Sequence, residues 1–399
     1  MSKVARLTSP NMMAVLGIAI MFLSLLLTGF VSVSETRISE AFPLRLLEFS
    51  RSSLLLLLGV VILCLFLSAF GKNSTMIFLM GLFGSIIPAL SLFTTGKLAP
   101  ELAAAVGPFA RVSPSTGFWL TILGSYIVVF ASWKKLEQSK LMRAFLFIVP
   151  VIAILFIVMT GRIDELSIMK EFANREDRFF SELIRHLLIC AGAVGFGAII
   201  GIPLGIMSVR SSRVERPTFA FLNFIQTVPG VALFGLLIAP LAYLSTVFPA
   251  LRSLGIGGIG WAPAMIALVL YSLLPITRNT FAGIQAISPD TIEAGIGMGM
   301  SKAQILARIE IPLSLPVVLA GVRTAAIQAV GNTTMAALIG AGGLGVFIFQ
   351  GLGQAAMDLV LLGAIPVIML ALFVDGLIQL LIGIVTPRGA REMTDDTAG

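Results

Sequence analysis

The 399-residue chain is 57% hydrophobic and only 12% charged, with a formal net charge of +7 and a mean hydropathy of +1.02. Soluble domains carry about 25% charged residues, so this composition excludes a soluble enzyme or binding module. The positive balance is topological and no nucleic-acid partner is expected, because Lys and Arg of membrane proteins collect in cytoplasmic loops.

Apolar runs of about twenty residues recur along the chain, the length a helix needs to cross a bilayer. The expected fold class is therefore all-α: a polytopic membrane protein of about ten transmembrane helices. In chain order they cover Met12–Val33, Ser53–Phe70, Thr75–Phe93, Gly117–Trp133, Ala144–Thr160, Leu183–Val209, Thr218–Leu244, Ala262–Ile276 (extending towards Phe281), Ser314–Leu338 and Leu359–Val385. The first run lacks a small-residue cleavage site and reads as a retained helix.

Lys and Arg set the orientation. Lys3 and Arg6, the loop with Lys134, Lys135, Lys140 and Arg143, the loop with Arg210, Arg213 and Arg216, and the tail with Arg388 and Arg391 all fall on one side of a ten-helix bundle. That side is expected to be cytoplasmic, with both termini there, in a bacterial inner membrane. The segment 161–182 falls on the other side and is expected to be a periplasmic loop. Trp119, Trp133 and Trp261 stand at expected helix ends, as interfacial anchors do.

The two halves differ. Residues 1–160 are Leu- and Phe-rich and read as an accessory five-helix membrane region. Residues 183–387 carry breaks at Ile202-Pro203, Val228-Pro229-Gly230, Ala239-Pro240, Leu274-Pro275 and Ile365-Pro366. Breaks at membrane depth are tolerated where they are buried or line a cavity. The transport path is therefore expected in this core, followed by a cytoplasmic tail at 388–399. Glycines there serve close helix packing equally well.

Several candidate chemistries fail on context. Gly255–Gly260 and Gly340–Gly345 both fit G-x-G-x-x-G by letter, but neither lies in a βαβ unit. No G-x-x-x-x-G-K-[ST] loop occurs, so ATP, if used, must bind another chain. His186 is the single histidine, which excludes a His cluster. It shares a helical face with Glu182, and a local ion pair or hydrogen bond is the expected role. Cys64 and Cys190 lie in apolar runs without metal or redox spacing. Catalytic residues, metal and cofactors are all expected to be none.

The segment between the eighth and ninth helices is different. Ser288 to Pro312 reads as two short helices around a glycine turn. Asp290 can cap the first, and Gly299 can supply the left-handed turn that ends it. Ser301 with Gln304 fits a capping box for the second, Ile305 and Ile309 share a face, and Pro312 stops it before the membrane. Such a half-apolar helix pair suits a docking surface for a soluble partner, or a helix lying on the membrane surface.

This segment resembles the "EAA" motif of binding-protein-dependent ABC importer permeases, E-A-A-x-x-x-G, nine residues, then I-x-L-P. Glu293, Ala294, Gly299, Ile309 and Pro312 match at the right spacing, while Gly295 replaces the second Ala and Ile311 the Leu. In that family the loop is a coupling helix seated in a groove of the ATPase subunit. The segments 167–175, 223–229, 232–240 and 337–345 are similar to those of glycine betaine/osmoprotectant permeases. With the five-helix extension, the chain resembles the YehY-type members most. The resemblance implies an importer-type permease core in the C-terminal half. It also implies a cytoplasmic ATPase dimer, a second permease subunit (homologous or identical), a periplasmic substrate-binding protein and membrane lipid as partners.

The expected function is then an osmoprotectant import permease. A permease for another solute such as an amino acid, or an ion-coupled secondary transporter, are the alternatives. An ion-coupled carrier holds ionisable groups in its interior, and here few lie at membrane depth. Arg323 and Asp375 stand about 16 Å and about 18 Å from the expected cytoplasmic ends of their helices at 1.5 Å per residue. They are expected to pair, or to meet backbone beside a polar cavity. Tyr243, Trp261 and Tyr271 offer aromatic faces, but the sequence leaves the substrate contacts open.

Overall fold

The computed structural model describes residues 11–37, 39–70, 73–136 and 139–386 of the chain. Lys3, Arg6, Arg388, Arg391 and the expected tail at 388–399 lie outside them. Among the described residues nine helices are long and apolar enough to cross a membrane, and Met12–Leu27 is a shorter apolar helix. The chain divides into two compact units, 1–174 and 175–399.

The first unit contains α1 (Met12–Leu27), β1 (Val31–Ser34), β2 (Phe42–Leu44), α2 (Leu46–Phe49) and α3 (Arg51–Phe70). It continues with α4 (Ser74–Val106), β3 (Arg111–Pro114), α5 (Thr116–Lys135), α6 (Lys140–Met159) and α7 (Ser167–Ala173). The first expected helix, Met12–Val33, ends at Leu27. The Val-Ser alternation that follows Gly29 leaves the helix for a three-stranded antiparallel sheet of order β2-β1-β3. Val31 pairs with Leu44 on one side and with Pro114 on the other. Pro43 and Pro114 sit on the edge strands, where a missing N–H disrupts least. Helix α4 is 33 residues long and overruns its expected end at Phe93. Lys97 and Glu101 end an apolar span but do not end a helix, and α4 continues to a glycine stop at Gly107, φ +149°.

Small residues allow α1 and α5 to approach closely. A methyl on Gly17 would lie 2.6 Å from the Gly124 carbonyl oxygen, and the Ser24 and Thr121 hydroxyls share a hydrogen bond of 2.9 Å nearby. Lys134 and Lys135 complement the C-terminal dipole of α5, and the Arg143 guanidinium lies 3.7 Å from the centre of the Trp133 ring.

The second unit contains α8 (Glu176–Arg210), α9 (Ser212–Thr227), α10 (Gly230–Val247), α11 (Pro249–Ser253), α12 (Trp261–Gln285), α13 (Pro289–Gly297) and α14 (Lys302–Ile305). A π turn (Leu306–Glu310) then leads into α15 (Ile311–Ala336), followed by α16 (Gly345–Gly353) and α17 (Met357–Val385). Because α8 starts at Glu176, the last seven residues of the segment 161–182 are helical; α7 and Glu171 belong to the first unit. The helix expected over Thr218–Leu244 is two helices, since Val228 is extended (ψ 126°) and Pro229 cannot donate to the turn before it. The short α16 escaped the sequence reading, its nine residues being too few for a span.

The centre of this unit is α8 against α12 against α15. Gly197, Gly201 and Gly205 repeat every fourth residue along α8 and face Ser272, Ile276 and Thr280 of α12. This small-residue stripe brings the two backbones together. Ser272 and Thr280 return their hydroxyl protons to carbonyls four residues back, whereas the buried Thr277 hydroxyl beside Gly201 has no hydrogen-bond partner among the described residues.

Candidate coupling and translocation site

The segment between α12 and α15 is built from local rules. Ser288 caps α13 by accepting the Thr291 N–H at 3.3 Å. Asp290, expected as the cap, instead stands in the first turn, where its charge favours the dipole. Gly299 is left-handed at φ +79° and turns the chain, and the Met300 N–H returns to the Gly295 carbonyl at 3.1 Å. Ser301 and Gln304 cap α14 reciprocally: the Ser301 N–H reaches Gln304 Oε1 at 2.8 Å, and the Gln304 N–H reaches the Ser301 hydroxyl at 3.3 Å.

The two short helices close on each other through Gly295. A methyl there would lie 2.8 Å from Ile309 Cδ1 and 3.6 Å from Ile305 Cγ1. The smaller residue in place of the motif's second Ala thus leaves room for Ile309. Ile305 is buried and Ile309 half-buried, while Glu293, Ala294, Ile311 and Pro312 are exposed. Ile296 and Met298 are 59% and 74% exposed, an apolar face left without cover within this chain. A groove of about 490 Å³ runs beside it, lined by Ile292, Ile296, Lys302, Leu306 and Arg210.

Pro312 does not stop the second helix, contrary to the sequence expectation. The π turn Leu306–Glu310 precedes it, and Pro312 sits in the first turn of α15. A π turn shifts the hydrogen-bond register, which accommodates a residue that has no N–H to give. That turn also aims Glu310 inward, where it is 3% exposed and pairs with Arg210 at the end of α8. The sequence reading counted Arg210 only as a topological charge. Glu310 is the one acid of the stretch Lys302–Glu310, but nothing local points to a partner a hundred residues earlier.

Deeper in the unit, the break between α9 and α10 is tied to α12. The Tyr271 hydroxyl donates to the Val228 carbonyl at 2.5 Å, and Gln226 donates to the Tyr271 carbonyl at 2.8 Å. The first satisfies a carbonyl at the interrupted helix end, and the second satisfies the Tyr271 carbonyl inside α12, to which Pro275 has no N–H to give. Tyr271 therefore has a backbone partner at the break, whereas Tyr243 is 69% exposed.

Arg323 of α15 and Asp375 of α17 meet in a two-pronged contact, Nε to Oδ1 at 2.5 Å and Nη2 to Oδ2 at 2.8 Å. Their side chains are 35% and 28% exposed. The fork geometry suits a planar guanidinium on a carboxylate.

At the opposite end of α8 the two glycine runs have structural roles. Glu182 and His186 do not pair with each other as expected; both serve the backbone of residues 343–344. The Gly343 N–H donates to Glu182 Oε2 at 2.6 Å, and the Leu344 N–H donates to His186 Nδ1 at 3.3 Å. With Nδ1 accepting, Nε2 carries the proton and donates to the Val330 carbonyl at 3.2 Å. Gly343 is left-handed at φ +89°. The Gly260 N–H bonds to the Ile339 carbonyl at 2.8 Å, so the two runs are joined.

Known families and proteins resemble parts of this chain. The family described as the binding-protein-dependent transport system inner membrane component matches residues 197–383. The N-terminal domain of the ABC transporter permease YehY matches residues 10–169. The carnitine transport permease OpuCB of Listeria monocytogenes is 40% identical over 57% of this chain and 96% of its own length. The osmoprotectant import permease OsmW of Salmonella typhimurium is 40% identical over 52% of this chain and 91% of its own. A solved inward-facing MetNI methionine ABC transporter chain aligns at 20% identity with a TM-score of 0.45, over 52% of this chain and 96% of its own. By the family match and the curated relatives, the chain belongs to the binding-protein-dependent ABC importer permeases, the membrane components of those transport systems.

Proposed function

We propose that this chain carries a quaternary ammonium osmoprotectant, such as glycine betaine or carnitine, across the bacterial inner membrane. Its two termini are cytoplasmic, and the power comes from ATP hydrolysed on a separate subunit. Its partners are a cytoplasmic ATPase dimer, a second permease and a periplasmic binding protein. Residues 183–387 act as the translocating core, 161–182 as an outer segment, and 1–160 as an accessory region. The substrate reading is supported by the relatives, one carrying carnitine in its name and another osmoprotectant import.

The observation that carries the coupling reading is the exposed apolar face of the capped helix pair. Ile296 and Met298 protrude from a segment that Gly299, Ser301 and Gln304 hold in shape. Glu293 and Ala294 share its surface. A rigid, uncovered apolar knob of this kind fits a groove on a soluble partner. Ile309, Ile311 and Pro312 lead it into α15, and Glu310 ties it to α8 through Arg210. A push at the knob therefore reaches two core helices together.

The test is uptake into proteoliposomes holding this chain with its ATPase and binding protein. Labelled glycine betaine, carnitine and choline are compared with labelled amino acids. ATP-dependent entry of a quaternary ammonium compound is expected. Entry of amino acids alone overturns the substrate, and entry driven by an ion gradient without ATP overturns the coupling.

A further inference from the structure

The first unit contains a cleft of its own, with a largely apolar wall edged by basic side chains. It has a volume of about 490 Å³ and is lined by Arg37, Arg111 and Lys170 with Pro108 and Phe109. Arg111 opens β3, Arg37 follows β1, and Lys170 lies on α7. The β1–β3 register, Ser34 opposite Arg111, brings the two arginines to one end of the sheet.

The charges in this cleft do not balance. Glu171, 2% exposed, lies 3.0 Å from Arg37 Nε and 3.8 Å from Arg111 Nη2. Lys170 is engaged by Glu165 at 2.8 Å. Two guanidiniums therefore share one carboxylate, and a positive charge remains. Arg37 Nη2 and Arg111 Nη1 are buried with no hydrogen-bond partner among the described residues. Buried N–H donors without partners are costly, and a cationic donor more so. A single arginine would neutralise Glu171.

We propose that Arg37 and Arg111, with Lys170 at the rim, form a binding site for a carboxylate. Guanidinium groups present paired donors at the spacing of carboxylate oxygens. A bound carboxylate would neutralise the surplus charge and accept from both orphaned nitrogens. The Phe109 ring, 76% exposed, and Pro108 supply an apolar wall for the remainder of the ligand. The carboxylate comes either from a free small acid or from an acidic side chain of a docking protein. The volume of the cleft favours the free acid.

The full chain in nanodiscs would be titrated with sodium acetate, sodium succinate and an acetylated, amidated pentapeptide centred on glutamate. Sodium chloride at matched ionic strength is the reference, because surface screening alone moves stability. Thermal midpoint is the readout. The expected result is a saturable rise with succinate or acetate beyond chloride. Arg37→Gln and Arg111→Gln, each checked for folding, should weaken the apparent affinity about tenfold or more. A rise with the peptide alone assigns the carboxylate to a docking protein. Equal curves for carboxylates, peptide and chloride in the wild-type protein overturn the proposal. So does an undiminished carboxylate response in folded Arg37→Gln, whose side chain is the more exposed of the two.

Discussion

Arg210, the last residue of α8, pairs with Glu310, the last residue of the π turn that leads into α15. Glu310 is almost fully buried, whereas the Arg210 side chain is 51% exposed. The two residues are a hundred positions apart, so this contact fixes the cytoplasm-assigned end of one long helix to the helix pair at 288–310.

Removing Arg210 leaves a buried carboxylate without its counter-charge. Arg210→Met should cost about 1–3 kcal/mol of stability. Glu310→Gln, which keeps the shape and a hydrogen bond, should cost less. Both should raise the ATP hydrolysed per solute moved, because α8 no longer follows the coupling segment. Thermal unfolding and the ratio of hydrolysis to uptake measure the two effects. Unchanged ratios in both variants would show that the tie has no part in coupling.

Gly299 turns at φ +79°, where a β-branched residue is strained by about 1–3 kcal/mol. Gly299→Val should misplace α14 relative to α13 while the long helices stay folded. Co-purification of the ATPase should fall and uptake with it, and helix content by circular dichroism should hold. The same defect is expected from Glu293→Arg, which reverses an exposed charge on the proposed docking face. Full ATPase retention and uptake in Gly299→Val would remove this segment from the coupling scheme.

The spans were legible because apolar length alone marks them. Their ends were not, because a helix continues past the hydrocarbon whenever its side chains find protein. Ser74–Val106 and Glu176–Arg210 both do so. The small sheet was hidden because Val31–Ser34 abuts an apolar helix, and one partner strand comes some eighty residues later. Around the coupling segment, Gly299 and the Ser301–Gln304 box were readable from local chemistry. The Arg210–Glu310 and Tyr271–Val228 contacts have no local signature, since each joins elements far apart in sequence.

Orientation can be measured directly. Asp164 is exposed in the segment before α7, and Ala303 is exposed in α14. With Cys64 and Cys190 buried, a cysteine at either site reports alone. Asp164→Cys should react with a membrane-impermeant maleimide added outside spheroplasts. Ala303→Cys should react only in inverted vesicles. The reverse pattern would invert the proposed topology.

The last prediction concerns Arg323 and Asp375. Their two-pronged contact joins α15 to α17, yet about a third of each side chain is open within this chain. An ion pair left against lipid at membrane depth is costly, so that face should be covered by protein or line a polar cavity. Arg323→Met leaves a lone acid and Asp375→Leu a lone base, and each should lower folded yield and uptake strongly. The double variant Arg323→Met/Asp375→Leu removes both charges and restores an apolar contact, so it should recover folded yield to near the wild-type level. A coupling energy of about 0.5–3 kcal/mol is expected from the cycle. Recovery of yield together with uptake would assign the pair to holding α15 against α17. Recovery of yield without uptake would place the charges on the solute's route. Strictly additive losses would show that the contact contributes to neither.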